Sequence, residues 1–293
     1  MSISRARNIL FAFALLSIGM NSAWCKTVTQ PIEVLGVPAD AEYIKGNTDK
    51  PAVMIVHGFL TTNKFHTITS ISKALSDEGY TVLAPTLTLG IASRQSPLKC
   101  NSIHSHTLEN DVAEIADWRQ WLKDQGHEEV VVVGHSSGSP LLLEYLTRNS
   151  QANIKAAIFT SLFFLNAKEL GSIETEIEHA QQQLAANSNK PHKYSFLFCR
   201  NNYFATPESF LSYMKLTRKY VFDLLAQLNI PHYTVMGGAD KRHMQVGGDW
   251  YQQLNDSETK LVVIDGANHF FSSEYEFDLQ DEMIKILNQV SQH

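Results

Sequence analysis

Charged residues are scarce in this sequence, and basic residues are not in excess. Only 18% of the 293 residues are charged, and 30 acidic residues outnumber 24 basic ones, which gives a formal net charge of −6. A nucleic-acid-binding surface needs clustered lysine and arginine, so no nucleic-acid partner is expected. A disordered chain is also excluded, because 44% of the residues are hydrophobic and supply enough apolar material for one large core.

Long apolar runs are scarce too, and one stands near the N-terminus. The stretch Ile9–Met20 follows two arginines and is too short to span a bilayer. A basic start followed by a short apolar segment is typical of a signal peptide. We therefore predict a signal peptide over residues 1–25, cleaved after Ala23 or Cys25, and a periplasmic or secreted mature protein without a membrane span. The alternative is a buried apolar helix at the N-terminus.

Cysteine is rare, with three in the chain. Cleavage after Cys25 would leave Cys100 and Cys199, and export would place them in an oxidising compartment. They are then expected either to form a disulfide or to stay unpaired. Cys100 also lies near His104 and His106, but this set lacks a clear fourth ligand and a standard zinc spacing. We expect an ordinary loop there and no bound metal.

No glycine-rich phosphate loop accompanies a suitable strand, so no cofactor is predicted. The sequence has no internal repeat either. Short apolar runs instead alternate with segments of helical spacing, which predicts an α/β fold with a mainly parallel sheet flanked by helices. Ahead of them, two short strands with a turn around Pro38 are expected. The predicted strands are 31–36, 41–46, 52–56, 80–84, 129–133, 154–160, 232–236 and 260–264. The predicted helices are 67–78, 107–125, 140–148, 174–186 and 274–290.

One segment of about seventy residues breaks this alternation. Residues 161–230 are expected to form a cap over the site, inserted between the core segments 26–160 and 231–293. An insertion after the carboxyl end of a strand lies where ligands bind in open α/β sheets. The alternative is a set of extra helices on the flank of the sheet. Several aromatic residues in this segment are expected either to line a pocket or to pack in the core; they are Phe163, Phe164, Phe196, Phe198, Tyr203 and Phe204.

The motif Gly-His-Ser-Ser-Gly at residues 134–138 is the segment most indicative of a catalytic function. It follows the apolar run Val130–Val133 and precedes the helix-like run Leu141–Leu146. A strand, a tight Gly-x-Ser-x-Gly turn and a helix in that order are what a nucleophile elbow requires. We predict that Ser136 is the nucleophile. The alternative is a flexible loop in which a serine stands between glycines without a catalytic role.

A serine hydroxyl needs a base within hydrogen-bond reach, and the base needs an orienting carboxylate. An acid and then a histidine are expected after the nucleophile along the chain. Asp240 and His269 each follow a predicted strand, so we expect both at the same edge of the sheet as Ser136. Asp249 and Asp265 compete for the role of the acid, but Asp249 is expected in or near a helix, and Asp265 is too close to His269 in sequence.

A tetrahedral intermediate needs backbone donors aimed at its oxyanion. We assign one donor to the N–H of Ser137, the residue after the nucleophile. The second is assigned to the N–H of Phe59, in the loop after an early strand, with the N–H of Leu60 as the weaker alternative. His57 is expected to brace this loop rather than to act as a second base.

These segments together resemble the α/β-hydrolase superfamily, in its serine esterase, lipase and aminopeptidase-like branches. The resemblance covers the chain from about Ala52 onward, apart from the insertion, and implies the fold, the triad and the cap. Serine at the nucleophile position separates the chain from members that use aspartate there, such as haloalkane dehalogenases and epoxide hydrolases. The matching residues are 57–59, 134–138, 237–240 and 266–269.

The expected function is hydrolysis of a small-molecule carboxylic ester by a Ser-His-Asp acyl-enzyme mechanism. Ester cleavage is favoured because it needs no machinery beyond the triad and the oxyanion donors. A peptidase, amidase or thioesterase of the same fold is the alternative. A non-catalytic binding protein is a further alternative, and the complete set of triad residues argues against it.

Overall fold

The computed structural model describes residues 25–149, 153–165, 173–241 and 249–292. The predicted signal peptide lies outside these residues, apart from Cys25, which begins the first strand. Cys25 pairs there with Ile44 of the next strand. Cleavage after Ala23 would therefore keep the first strand whole, whereas cleavage after Cys25 would remove its first residue.

Ten strands lie in the described residues, and eight of them form one sheet in the order β1-β2-β4-β3-β5-β6-β9-β10. The six strands from β4 to β10 in this order run parallel, while β1 and β2 are antiparallel to their neighbours. The predicted, mainly parallel α/β sheet is thereby confirmed. The strands are β1 (Cys25–Ile32), β2 (Val37–Ile44), β3 (Ala52–Val56), β4 (Val82–Thr86), β5 (Val130–His135), β6 (Ile154–Thr160), β7 (His192–Phe196), β8 (Cys199–Ala205), β9 (His232–Gly237) and β10 (Lys260–Ile264).

Eight helices accompany these strands in the same described ranges. They include the five that the sequence predicts, and every end lies within two residues of its predicted position. Every described helix is too short or too polar to cross a bilayer. The helices are α1 (His66–Asp77), α2 (Leu108–Asp124), α3 (Gly138–Arg148), α4 (Glu174–Ala185), α5 (Pro207–Tyr213), α6 (Arg218–Leu225), α7 (Trp250–Asn255) and α8 (Tyr275–Ser291).

The central strands are buried on both faces, and alternate residues reach different layers. Val53 and Ile55 of β3 pack in the core shared with α1 and α8. Met54 and Val56 pack in the core shared with α2 and α3. Burial on both faces explains why these strands read as continuous apolar runs. Because these strands run parallel, their carboxyl ends lie at one edge of the sheet, where the loops that carry the candidate site emerge.

The predicted turn around Pro38 is wrong. The chain turns at residues 33–36, where Gly36 has a φ of +63°, a conformation that glycine adopts without steric cost. Pro38 instead lies inside β2, opposite Pro31 of β1. Proline is tolerated at both positions because β1 is an edge strand and because Pro38 precedes the part of β2 that pairs with β4.

The segment between β6 and β9 carries a hairpin that the sequence did not predict. Strands β7 and β8 form a separate antiparallel sheet. The loop after β4 lies along β8, since the N–H of His104 donates to the carbonyl of Phe204 at 2.9 Å and the N–H of Phe204 donates to the carbonyl of Cys100 at 3.0 Å. The hairpin is therefore tied to a loop of the main sheet rather than standing apart from it.

A disulfide strengthens the same junction. Cys100 in the loop after β4 is bonded to Cys199, the first residue of β8, and their Cα atoms are 5.5 Å apart. The two cysteines are separated by 99 positions along the chain. The sequence left open whether these cysteines form a disulfide or stay unpaired, and the structure has the disulfide.

A buried carboxyl group holds the start of this loop. Glu114 of α2 is fully buried and accepts hydrogen bonds from the backbone N–H of Thr88 at 3.0 Å and from its hydroxyl at 2.7 Å. Burial raises the pKa of Glu114 to about 8, and the Thr88 donors oppose that rise. The folded protein therefore holds the proton of this group more tightly than the unfolded chain does.

Replacing both Cys100 and Cys199 by serine is expected to lower the free energy of unfolding by about 2–5 kcal/mol, because the crosslink restricts a long loop in the unfolded chain. Urea unfolding followed by tryptophan fluorescence measures this change. Cys25→Ser is the matched control, since Cys25 is exposed and outside the disulfide. An unfolding midpoint that stays the same in the double variant would contradict the prediction.

Replacing Glu114 by glutamine is expected to weaken the pH dependence of stability. A carboxyl group whose pKa rises from 4.5 to about 8 on folding contributes stability at low pH and loses it as the pH rises through that interval. The wild type should therefore lose more stability across this interval than Glu114→Gln. Urea midpoints at both ends of the interval measure the difference, with the exposed Glu78→Gln as control. Parallel pH profiles for wild type and Glu114→Gln would refute it.

Candidate active site

A strained turn holds Ser136 just after β5. Its φ is +54°, a left-handed conformation that costs a non-glycine residue about 1–2 kcal/mol. The turn also needs small neighbours. A Cβ on Gly134 would stand 2.7 Å from the carbonyl oxygen of Gly138, and a Cβ on Gly138 would collide with the carbonyl oxygen of Val56. The spacing of the two glycines thus follows from the close approach of β5, α3 and β3.

Hydrogen bonds to β6 and within the elbow fix the turn. The N–H of Ser136 donates to the carbonyl of Thr160 at 2.9 Å. The hydroxyl of Ser139 donates to the carbonyl of Gly134 at 2.8 Å, and the hydroxyl of Thr160 donates to the same carbonyl at 3.1 Å. The ring of His135 lies 3.0 Å from the Thr160 hydroxyl through Nδ1. The neighbouring strand therefore offsets part of the backbone strain at the turn.

The structure brings the three predicted triad side chains together. Ser136 Oγ lies 2.9 Å from His269 Nε2, and His269 Nδ1 lies 2.7 Å from Asp240 Oδ2. The residues Ser136, His269 and Asp240 are 7%, 5% and 1% exposed. The hydroxyl of Ser161 also donates to the carbonyl of His269 at 2.7 Å. The resulting chain runs from a carboxylate through an imidazole to a hydroxyl, and it is closed to solvent over most of its length.

Asp240 reaches His269 because the loops after β9 and β10 pack closely. The N–H of Ala239 donates to the carbonyl of Ala267 at 2.9 Å, joining the two loops directly. The competing carboxylates lie elsewhere. Asp249 precedes α7 and forms an ion pair with Arg218 at 2.7 Å, and Asp265 is exposed. Among the three acids, Asp240 is the one that contacts the imidazole.

His57 braces the loop after β3, as the sequence predicts. Its Nδ1 donates to the carbonyl of Gly58 at 2.8 Å, and its Nε2 accepts from the N–H of Leu87 at 3.0 Å. Burial and the nearby positive charge of Arg94 lower the pKa of His57 to about 3. The ring is therefore neutral at ordinary pH and serves as a fixed link between two loops.

Arg94 completes this brace and was not singled out from the sequence. Its guanidinium group is buried and donates to the carbonyls of Leu87 at 2.9 Å and Thr61 at 2.7 Å. It thus joins the loop after β4 to the loop after β3 that carries Phe59. A lone arginine in a loop gives no sequence signal for such a role, because its acceptors are backbone carbonyls.

The two predicted oxyanion donors border the site. Ser137 directly precedes α3, and Phe59 follows the braced pair His57-Gly58. Within the described ranges, neither amide nitrogen donates to a protein acceptor. The Phe59 ring stacks edge-on against Phe196 and Phe198 of the hairpin, with centroids 5.0 and 5.3 Å away. The loop that carries one candidate donor is thereby packed against the insertion.

Two cavities meet at this point. The outer cavity has a volume of about 220 Å³, and Ser136 and His269 line it together with Phe59, Phe163 and Phe198. The inner pocket has a volume of about 30 Å³ and is also lined by Phe59 and Phe163, but by Ser137 in place of the triad.

The aromatic residues of the insertion divide between pocket and core. Phe163 and Phe198 line the outer cavity, and Phe196 lines the inner pocket. Phe164 and Tyr203 are fully buried in the main core instead. Both of the roles expected for these residues therefore occur, in different members of the set.

The loop around Cys100 holds no cluster of free ligands. The sulfur of Cys100 is bonded to Cys199 in the disulfide, and His104 Nε2 lies 3.2 Å from the carbonyl of Lys99. His106 instead contacts Asp111 and Tyr213 beside the inner pocket. The sequence did not predict the contacts of His106 with Asp111 and Tyr213. Its one local signal is that His106 directly precedes the N-cap of α2 and that Asp111 follows about one turn later.

Comparison with solved structures confirms the fold. GrgF, an α/β hydrolase from Penicillium sp. sh18, has a TM-score of 0.69 at 11% identity, over 92% of this chain and 99% of that chain. Est1E from Butyrivibrio proteoclasticus has a TM-score of 0.61 at 18% identity, over 89% and 99%. The thioesterase domain from the curacin biosynthetic pathway has a TM-score of 0.62 at 18% identity, over 91% and 99%.

No curated protein sequence matches this chain. The family model of the alpha/beta hydrolase family matches residues 53–278, which is more than half of the chain. That range runs from β3 into α8 and includes the elbow and the loops that bear Asp240 and His269. The protein therefore belongs to the alpha/beta hydrolase family.

Proposed function

We propose that this protein is a serine hydrolase that cleaves carboxylic esters through an acyl-enzyme. The observation that carries the proposal is the unbroken hydrogen-bond chain from Asp240 through His269 to Ser136. A serine hydroxyl becomes a useful nucleophile when a base of this kind can take its proton during attack. Membership of the alpha/beta hydrolase family fits this chemistry.

The first step is attack of Ser136 Oγ on the ester carbonyl carbon while His269 Nε2 takes the hydroxyl proton. Asp240 accepts the Nδ1–H of His269, so the lone pair of the ring faces the serine. The same carboxylate stabilises the imidazolium that forms. The proton then passes from His269 to the leaving alkoxide, and an alcohol departs. Water, activated by His269, hydrolyses the acyl-enzyme and releases the acid.

The N–H groups of Phe59 and Ser137 are the proposed donors to the oxyanion. Removing one such donor from a serine hydrolase costs roughly a hundred-fold to a thousand-fold in rate. The start of α3 directly after Ser137 adds the positive end of a helix dipole on the same side. The brace of His57 and Arg94 keeps the Phe59 loop in place before substrate binds.

The two cavities suggest where each half of the ester lies. His269 must reach both the serine oxygen and the leaving oxygen, so the alcohol portion belongs in the outer cavity, which His269 lines. The inner pocket is lined by Ser137 and Phe59 but not by His269. We therefore assign the acyl group to the inner pocket, on the side of the carbonyl away from His269.

Export to the periplasm or the medium is part of the proposal. Support comes from the signal-like N-terminus and from the Cys100–Cys199 disulfide, since stable disulfides are rare in reducing compartments. The mature protein is expected to begin at residue 24 or 26. Mass spectrometry of protein from fractionated cells measures the new N-terminus. Intact protein starting at Met1 and confined to the cytoplasm would contradict export.

Replacing Ser136 by alanine is expected to abolish hydrolysis of a short-chain aryl ester and labelling by a fluorophosphonate probe. Asp240→Asn should lower kcat by about ten-thousand-fold, because the imidazole would be held in the wrong tautomer. Stopped-flow absorbance measures hydrolysis of the ester, and in-gel fluorescence measures labelling by the probe. Ser76→Ala, a serine on α1 outside the site, is the control and should behave as the wild type. Unchanged turnover by the pure Ser136→Ala variant would contradict the proposed mechanism.

The same measurements distinguish ester hydrolysis from thioester or amide hydrolysis and from a non-catalytic binding role. A wild type that is labelled by the probe and hydrolyses only thioesters or amides would keep the acyl-enzyme and change the substrate class. A wild type that is neither labelled nor active on any of these substrates would favour a binding protein on a hydrolase fold.

A further inference from the structure

The wall of the outer cavity is made mainly of phenylalanine rings. Two rings come from the loop after β3, and one each comes from the segment after β6, from the tip of the hairpin and from the loop after β10. Among the described residues that line the cavity, none is an aspartate, glutamate, lysine or arginine. The wall is therefore an apolar, aromatic surface beside Ser136 and His269. The five rings are those of Phe59, Phe65, Phe163, Phe198 and Phe270.

These rings pack against one another at steep angles. Phe59 and Phe198 lie with centroids 5.3 Å apart and planes at 72°, and Phe65 and Phe270 lie 5.4 Å apart at 66°. The imidazole of His269 joins the second pair, 5.0 Å from Phe270 at 87°. Edge-to-face packing is the arrangement that the quadrupoles of aromatic rings favour. A further ring that entered the cavity would meet partners of the same kind on its way to the triad.

Phe198 stands at the mouth of this cavity. Its side chain lines the cavity and is nevertheless 56% exposed to solvent. The tip that carries it is constrained from both sides, because Leu197 has a φ of +51° and Cys199 is bonded to Cys100. The fold thus holds an apolar ring at the entrance instead of burying it, and a ligand can contact that ring.

The cavity is large enough for an aromatic ring. Its volume is about 220 Å³, and an apolar cavity of about 150 Å³ already holds benzene in another protein. The inner pocket is much smaller, at about 30 Å³, which leaves room for two or three groups the size of a water molecule. An acetyl group brings a single methyl group to the inner pocket, whereas a six-membered ring fits the outer cavity alone.

We propose that the outer cavity selects esters whose alcohol portion carries an aromatic ring, and that this ring packs against Phe198. The substrate class is then a short acyl group, such as acetyl, on an arylalkyl alcohol. The inference rests on the proposed function, which places the alcohol portion in the outer cavity. It adds the chemical class of that alcohol and the side chain that recognises it.

The composition of the wall favours an aromatic alcohol over a charged one. An anionic alcohol would lose its hydration against apolar rings. A cationic alcohol would find no carboxylate in the described wall and would lie near the positive charge that forms on His269 during attack. A saturated ring buries at least as much apolar surface as a flat one, so hydrophobic burial alone predicts no preference for the flat ring. Packing of ring against ring does predict it.

The test compares benzyl acetate with cyclohexylmethyl acetate, which share the acyl group and a primary leaving alcohol. The wild type should hydrolyse benzyl acetate with kcat/KM about three-fold to ten-fold higher, as one aromatic pair implies. Phe198→Leu keeps an apolar side chain and removes the ring, so the ratio should fall toward one. Phe277→Leu is the matched control, because Phe277 is 67% exposed on α8 and lines neither cavity, and it should keep the ratio.

A second pair of substrates tests the side of the ester on which the ring binds. Methyl phenylacetate is an isomer of benzyl acetate that carries its ring on the acyl portion, and it should be the slower substrate because the ring cannot enter the inner pocket. Equal hydrolysis of the two isomers would overturn the assignment of the ring to the alcohol side. Acetylcholine hydrolysed faster than benzyl acetate would indicate that the rings bind a cation and would also overturn the inference.

Binding provides a measurement that does not depend on turnover. Ligand-observed NMR with Ser136→Ala should detect tighter binding of benzyl acetate than of cyclohexylmethyl acetate, and Phe198→Leu in that background should abolish the difference. Equal kcat/KM values and equal binding of the two acetates to proteins with intact Phe198 would overturn the inference while leaving ester hydrolysis itself intact. Selective binding without hydrolysis or probe labelling of the wild type would instead support the aromatic cavity and refute the proposed function.

Discussion

Ser136 stands in a left-handed turn at the crowded junction of β3, β5 and α3. Hydrogen bonds from Ser139 and Thr160 hold the turn, and the two glycines of the motif leave just enough room for it. The strain is stored where the chemistry is proposed to occur, as is common at functional sites. The position of Ser136 is therefore set by backbone packing, and the imidazole of His269 and the carboxylate of Asp240 reach it from two neighbouring loops.

One side chain from a loop of the main sheet, that of Phe59, packs against the insertion at the site. Phe59 belongs to the loop after β3, yet its ring packs against Phe196 and Phe198 of the hairpin and lines both cavities. Its backbone amide is the proposed oxyanion donor. The hairpin that shapes the pockets is thereby in direct contact with the loop that carries the proposed oxyanion donor.

Local patterns in the sequence were enough for most of the fold and for the proposed triad. Glycine spacing predicts the elbow, and apolar runs predict the parallel strands whose carboxyl ends bring Asp240 and His269 together, although they are 29 positions apart in the sequence. The hairpin escaped prediction because Leu197 takes a positive φ at its tip without the usual glycine or asparagine. The contact of Asp111 with Tyr213 spans 102 positions, and no local pattern encodes it.

The disulfide has a consequence for resistance to proteolysis. Cys100 and Cys199 enclose Ser136, α2, α3 and α4 within one covalent ring. A protease that cuts an exposed connection inside this ring, such as the segment between α4 and β7, leaves both pieces of the chain joined through sulfur. The cut ends stay tethered beside the site, and the nicked molecule can keep its shape where an uncrosslinked one would separate.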